Sequence, residues 1–325
     1  MIYFIYRNIL MLLMRSSILV GGQAVIEGVM MRVPGAYATA VRKNNGEIVF
    51  HYHPFECITT KNSFYGLPII RGMNHLYESM KIGYQTLQWS ADMNDPDVKQ
   101  NKFLDSILSF LSILFAIGLF FGTPLLLADF IQQWMGGNGT IAYNIISGVI
   151  RIGLFLLYLI GISFLKDIHR LFQFHGAEHK TVYNFESGKE INISNASTFE
   201  KEHPRCGTSF VFIVMIVAII SFSIIDSILI HTMGIELNVV RRLLIHIPCI
   251  PLVAGFSYEV LKLTAKFQKY FIFKILAYPG LLLQRITTQN PDAQQLEVAI
   301  EALRCAFGDS LKDYQGKEFN ADAIG

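Results

Sequence analysis

The chain has 325 residues, of which 52% are hydrophobic and only 16% are charged, and its mean hydropathy is +0.40. Because a water-soluble domain usually carries about a quarter charged residues, this composition argues against a soluble protein and indicates contact with lipid. The net charge of +2 and the lack of a dense run of Lys or Arg argue against a nucleic-acid partner, and none is expected.

The chain begins with an apolar run, residues 1–20, which is interrupted by Arg7, Asn8 and Arg15. This run lacks the small-residue cleavage site of a signal peptide. We interpret it either as a short membrane-associated helix or as an extension ahead of a natural start at Met14.

Residues 21–102 are expected to form a small cytosolic α+β region. Within it, residues 37–43 and 47–53 flank an Asn-Asn-Gly sequence that suits a turn with positive φ, so they predict a β-hairpin. The apolar spacing over residues 68–87 predicts an amphipathic helix.

Four later segments are long and apolar enough to cross a hydrocarbon core, which takes roughly 17 to 25 helical residues. They are residues 103–128, 141–165, 208–230 and 243–261. The predicted fold is therefore an α-helical polytopic membrane protein with about four transmembrane helices, arranged as pairs over 103–165 and 208–261. Its expected partner is the lipid bilayer, with membrane or cytosolic proteins as further candidates.

Lys and Arg beside these segments predict the orientation of the chain in the membrane. Basic residues cluster before the first span, in the loop 166–207 and after the fourth span, whereas the opposite side carries only Arg241 and Arg242. The pattern predicts a protein of the cytoplasmic membrane with both termini and the central loop in the cytoplasm.

Residues 262–307 are expected to form two helices that do not cross the membrane. The first, over 270–286, has the aromatic and aliphatic composition of an interfacial helix. The second is predicted to begin with Asn290 as its cap and Pro291 at its first position, and to end at Gly308. Residues 308–325 are expected to form a loose tail.

The central loop holds the most informative motif, HGAEH at residues 175–179, which fits the pattern H-x-x-E-H. On a helix, His175 and His179 lie one turn apart on one face with Glu178 beside them, so they can converge on one cation. This order is the inverzincin arrangement, in which two His bind zinc and the Glu takes a proton from the zinc-bound water.

A catalytic zinc site needs a third protein ligand. His203 and Cys206 are candidates because they lie close together immediately before the third span. Glu259, near the cytosolic end of the fourth span, is the other candidate, since an ionisable residue at membrane depth is costly unless it is paired.

A structural interpretation of these residues stands beside the metal site. His and Glu on a helix next to the membrane often cap backbone groups, contact lipid headgroups or form ion pairs. Gly176 costs the helix about 1 kcal/mol relative to Ala, although a small residue suits a place where substrate approaches.

Glu27 is a further candidate, because it lies in a glycine-rich segment that permits close backbone approach. Its carboxylate can be presented to a ligand or to the metal region. It can equally pair with Arg32 or with another cation.

With these residues in view, the chain resembles the YqhQ-like family of bacterial membrane proteins of unknown function, whose members have been described as predicted metal-dependent enzymes. The resemblance covers most of the chain from Gly21 to Phe307. The matching stretches are GGQAVIEGVMMR, HGAEHKTVYNFESG, HPRCGTSF, YEVLKL and PGLLLQRITTQNPDAQQLEVAIEAL.

Two hypotheses of different classes follow. The first is a membrane-bound hydrolase with a divalent metal, zinc by preference, between His175, His179 and one of the three candidate third ligands, with Glu178 as general base. The second is a non-enzymatic scaffold or quality-control protein that binds partners through its N-terminal region and C-terminal helix. A transporter is less consistent with only His246 and Glu259 as inner polar groups.

Overall fold

The computed structural model describes residues 20–95, 102–137, 139–203, 206–267 and 270–319. Of the predicted N-terminal extension, all but Val20 lies outside the described residues. The described chain is an α-helical polytopic membrane protein with a small N-terminal sheet, which confirms the predicted fold class.

The sheet has four antiparallel strands in the order in which they occur along the chain. The strands are β1 (Gly21–Val25), β2 (Gly28–Val33), β3 (Ala36–Arg42) and β4 (Ile48–Pro54). The predicted hairpin is confirmed as β3 and β4, with Gly46 at a positive φ of 88° in the turn. The hairpin of β1 and β2 was not predicted, because β2 is buried on both faces and therefore lacks the alternation that indicates a strand.

Helices make up most of the rest of the chain. They are α1 (Ile58–Lys61), α2 (Ile70–Asn94), α3 (Lys102–Ile117), α4 (Thr123–Trp134), α5 (Thr140–Ser163), α6 (Lys166–Glu186), α7 (Ile193–Ser197), α8 (Gly207–His231), α9 (Val239–Lys266), α10 (Phe271–Thr287) and α11 (Ala293–Phe307). The predicted amphipathic helix over 68–87 is confirmed as α2.

Four helical segments of the described residues are long and apolar enough to cross a membrane, and each overlaps one predicted span. The first span joins α3 to α4 through a π-helical turn, Gly118–Gly122, and the others are α5, α8 and most of α9. Close crossings join the N-terminal region to this bundle. At one of them, a Cβ on Gly72 of α2 would lie 2.7 Å from the carbonyl oxygen of Gly255 of α9, so the two backbones touch.

The sheet is covered on both faces. Apolar side chains of β2 and β3 pack with α6 and α11 in one large buried core, whereas Met30 and Tyr37 pack with Ile82 of α2. Because α6 and α11 share this core with the sheet, the sheet holds the H-x-x-E-H helix in place.

The C-terminal helices differ from expectation at their ends. The cap of α11 is Asp292, which forms a capping box with Gln295, so the predicted cap at Asn290 is wrong by two residues. Gly308 ends the helix as predicted. The following residues are not loose up to 319, because Leu311 and Phe319 are buried in the same core as α6. The interfacial position of α10 stays a prediction.

Candidate metal centre

The H-x-x-E-H sequence lies on α6, a continuous helix, so the predicted juxtaposition of its two imidazoles is confirmed. The ring centroids of His175 and His179 are 4.5 Å apart. Gly176 between them packs against the backbone before α11, where a Cβ would lie 2.0 Å from the carbonyl oxygen of Gln289. The glycine is therefore explained by helix packing and not by substrate approach.

Backbone carbonyl groups orient both imidazoles. The Nδ1 atom of His175 lies 2.8 Å from the carbonyl oxygen of Thr287, and the Nδ1 atom of His179 lies 2.5 Å from that of Lys201. Since a carbonyl oxygen can only accept a hydrogen bond, each Nδ1 atom donates and carries the proton. Each Nε2 atom is left with a lone pair, as in metal sites where an outer group holds the imidazole.

The thiol of Cys206 completes the group. Its Sγ atom lies 3.2 Å from the Nε2 atom of His175, and the ligand atoms of His175, His179 and Cys206 all lie within 4.8 Å of one another. A tetrahedral zinc site with bonds of about 2.0 to 2.3 Å separates its ligand atoms by roughly 3.3 to 3.7 Å. The three residues therefore fit a zinc ion with small side-chain adjustments.

Two further predicted residues lie beside this group. Glu178 is buried, and its Oε2 atom is 3.4 Å from the Nε2 atom of His179. The ring of His203 is 5.6 Å from the ring of His179, and its Nε2 atom lies 3.7 Å from the Oε2 atom of Glu186. Burial lowers the pKa of His203 to about 4, so this ring is neutral at physiological pH.

All five residues line one cavity of about 630 Å³. The cavity lining also includes residues of β1, which approaches the side chain of Glu178 closely. A Cβ on Gly22 would lie 2.8 Å from the Cγ atom of Glu178 and 2.3 Å from the carbonyl oxygen of Met30. The second glycine of the Gly-Gly-Gln segment is thus required by the contact between this strand and the site.

Comparison with known proteins places the chain in a family. Residues 67–309 match the family model described as a protein of unknown function, DUF1385. The chain is also 32% identical over 297 residues to the uncharacterized protein YqhQ of Bacillus subtilis. The aligned region covers 87% of this chain and 90% of that protein. The chain belongs to this family. No solved structure matches it.

Glu27 of this DUF1385 protein does not line the cavity. Both of its carboxylate oxygens accept hydrogen bonds from the guanidinium group of Arg170 on α6, with the Nη2 to Oε2 distance at 2.6 Å. Glu27 has a positive φ of 51° in the two-residue turn between β1 and β2. Of the two roles predicted for Glu27, the structure shows the ion pair, with Arg170 and not with Arg32.

Glu259 is not brought to the other predicted ligands. Its carboxylate accepts two hydrogen bonds from Arg71 and one from the backbone N–H of Ile69, which has an unusual positive φ of 69° for a β-branched residue. Glu259 thus holds the start of α2 against the fourth span. The charge of the Glu259 carboxylate is balanced by Arg71.

A second group of ligand-type residues was missed by the sequence analysis of this family member. Cys57, His75 and Glu78 also offer one ligand atom each within 4.8 Å of one another. His75 and Glu78 are three residues apart on α2, the spacing that places two side chains on one helix face. That spacing was visible in the sequence, but nothing local indicated that Cys57 would join them.

Proposed function

We propose that this protein is a zinc-dependent hydrolase of the cytoplasmic membrane, with its catalytic centre at the cytosolic ends of the spans. The observation that carries the proposal is that the ligand atoms of His175, His179 and Cys206 all lie within 4.8 Å of one another, with the Nε2 atom of His175 3.2 Å from the Sγ atom of Cys206. Two imidazoles and one thiolate leave a tetrahedral ion one open position, which is the arrangement of catalytic and not structural zinc sites.

The surrounding residues have roles that suit hydrolysis. A bound zinc ion supplies a Lewis acid and lowers the pKa of a coordinated water towards neutrality. Glu178, buried at the cavity wall beside His179, is the general base that holds the proton removed from the attacking water. The carbonyl groups of Thr287 and Lys201 keep both imidazoles in the tautomer that presents Nε2 to the cavity.

The position of the cavity supports a substrate near the membrane. Its lining includes Gly207, the first residue of the third span, and His75, whose ring stacks on Tyr258 of the fourth span at 5.1 Å. The basic residues around the central loop favour a cytosolic location of this face. We therefore propose hydrolysis of a peptide bond close to the cytosolic surface of the bilayer.

Metal content tests this proposal directly. We expect His175→Ala and His179→Ala, each purified in detergent and dialysed against a weak chelator, to lose about one zinc ion per chain relative to the unmodified protein. His169→Ala is the matched control, because His169 lies exposed on the same helix. Unchanged zinc in both site variants would refute the metal centre.

A non-enzymatic scaffold is the second candidate, and one observation favours it. The two histidines link three separate segments through their Nδ1 hydrogen bonds: α6, the residues before the third span and the end of α10. A metal at this point can simply clip these segments together. The variant Glu178→Gln distinguishes the two functions. If the protein is an enzyme, this variant keeps its zinc and loses peptide hydrolysis in reconstituted vesicles. If the protein is a scaffold, cells that carry this variant keep the phenotype of the unmodified protein.

A further inference from the structure

The Cys57 group forms a compact set of ligand atoms on another wall of the same cavity. The Sγ atom of Cys57 is 3.1 Å from the Oε2 atom of Glu78 and 3.7 Å from the Nδ1 atom of His75. The same Nδ1 and Oε2 atoms are 3.8 Å apart. Cys57 and His75 line the cavity, and Glu78 is buried directly behind them.

The arrangement does not match a relay for nucleophilic catalysis. In a Cys-His-carboxylate triad the thiol and the carboxylate contact opposite nitrogens of the imidazole. Here both Cys57 and Glu78 face the same atom, Nδ1 of His75. Three different donor atoms that face a common point are the geometry of metal ligation.

Outer contacts hold the side chains of Glu78 and His75 in this arrangement. The Oε1 atom of Glu78 accepts a hydrogen bond of 2.6 Å from the backbone N–H of Ile58, which leaves Oε2 directed at the other two residues. The ring of His75 is stacked on Tyr258. Such outer contacts orient the ligands in real metal sites, and each of them comes from a different segment of the chain.

Arg32 offers the competing explanation for one member of the group. Its Nη2 atom lies 3.8 Å from the Oε2 atom of Glu78, and its guanidinium group packs over the ring of Phe55 at 4.3 Å. This ion pair accounts for the charge of Glu78. It does not account for the thiol and the imidazole that converge on the same carboxylate oxygen.

We propose that Cys57, His75 and Glu78 form a second divalent-metal site in this cavity, suited to zinc. A thiolate, an imidazole and a carboxylate are all zinc ligands, and a thiolate selects against magnesium and calcium. The site is independent of the first group, because the two sets share no residue and come from different segments. The cavity thus carries two metal positions, each with an open side towards the same space.

Zinc stoichiometry of the full-length protein in detergent tests this inference. We expect about two zinc ions per chain in the unmodified protein and about one in Cys57→Ala or His75→Ala. The ion that remains in these variants reports that the fold and the His175 group are intact. Cys305→Ala is the matched control, because Cys305 is another partly buried free thiol outside the cavity.

Cobalt substitution gives an absorption signal that changes only if Cys57 binds the metal, and not if Cys57 merely stabilises the fold. We expect each bound cobalt ion to give a thiolate-to-metal absorption band, so that Cys57→Ser removes about half of the band and Cys206→Ser removes the other half. We also expect Arg32→Ala to tighten the second ion several-fold, because it removes a positive charge beside the site. An unchanged zinc count and an unchanged cobalt band in Cys57→Ser would overturn the proposal and leave only the Arg32 ion pair. If Cys57→Ser loses the second ion and keeps the first, the second metal site is supported even if the protein hydrolyses no peptide.

Discussion

Two polar clusters in this protein are built from similar residues but differ in how their polar atoms are arranged. Within the spans, Asp226 of α8 is fully buried and accepts hydrogen bonds from Asn144 at 2.9 Å, from His246 at 2.9 Å and from Arg242. All three side chains donate to the same carboxylate. The cluster ties α5, α8 and α9 together and does not line the cavity.

The His175 group, which precedes the third span and lies beside the cavity, has the opposite character. Its imidazoles donate outward to backbone carbonyls, and their remaining lone pairs converge with a thiol beside a cavity. Residue type alone therefore does not separate these two kinds of cluster. What separates them is whether the polar atoms all contact one buried carboxylate or converge beside a cavity.

Removal of the carboxylate within the spans is expected to have the largest effect on stability. Asp226→Ala leaves Arg242 buried without its counter-charge, which costs about 3 to 5 kcal/mol in the free energy of unfolding. Denaturation in detergent micelles measures this loss, with Asp105→Ala on an exposed face of the first span as the control. Loss of zinc at a temperature where the variant is still folded would show that the two clusters are coupled and would break the comparison.

Acid is expected to destabilise the metal-free protein on the side of the His175 group. The buried His203 has a pKa of about 4 in the folded protein and an ordinary value near 6.5 when unfolded, so the unfolded chain binds the extra proton first. Stability should therefore fall by a few kcal/mol as the pH drops from about 6.5 to about 4 and then level off. Chelator-treated protein followed across this range tests the prediction, and His203→Asn should flatten the profile. An equally steep profile in that variant would assign the effect to other groups.

Gly176 offers a smaller and sharper test of the same side. Because a Cβ there would meet the carbonyl oxygen of Gln289 at 2.0 Å, Gly176→Ala should force α6 away from the start of α11 and cost about 1 to 3 kcal/mol. The shift should also weaken zinc binding, because the carbonyl group of Thr287, which orients the imidazole of His175, lies in the adjoining backbone. Gly153→Ala is the control, because nothing lies within 4 Å of that position and a helical Gly→Ala change there should not destabilise. Equal behaviour of the two variants would contradict the packing described for α6.

The smallest effect is expected at Glu27. Arg170 is 44% exposed and Glu27 is 24% exposed, so Glu27→Gln should cost about 1 kcal/mol or less. Zinc content should not change, because the carboxylate is engaged by Arg170 away from the cavity. A fall in zinc content on atomic emission analysis would instead restore the alternative in which Glu27 serves the metal region.

Local pattern was sufficient for part of the site and not for the rest. The pairing of His175 with His179 was predictable because helical spacing alone brings them together. Sequence alone did not predict which of the three candidate third ligands lies beside the two imidazoles. Glu259, for example, is held away from them by an ion pair with Arg71, which lies far away in sequence. The Cys57 group was missed for the same reason: only the packing of α1 against α2 joins its members.

The sequence by itself determined the four spans, the β3–β4 hairpin and the H-x-x-E-H face, because apolar length, turn residues and helical period act over a few neighbouring positions. The tertiary structure decided which thiol meets the imidazoles, which carbonyl groups set their tautomers and why residue 176 is a glycine. These features depend on contacts between segments that lie 22 residues or more apart in sequence, beyond the reach of a helical or turn pattern. The burial of a shared core brings those segments together.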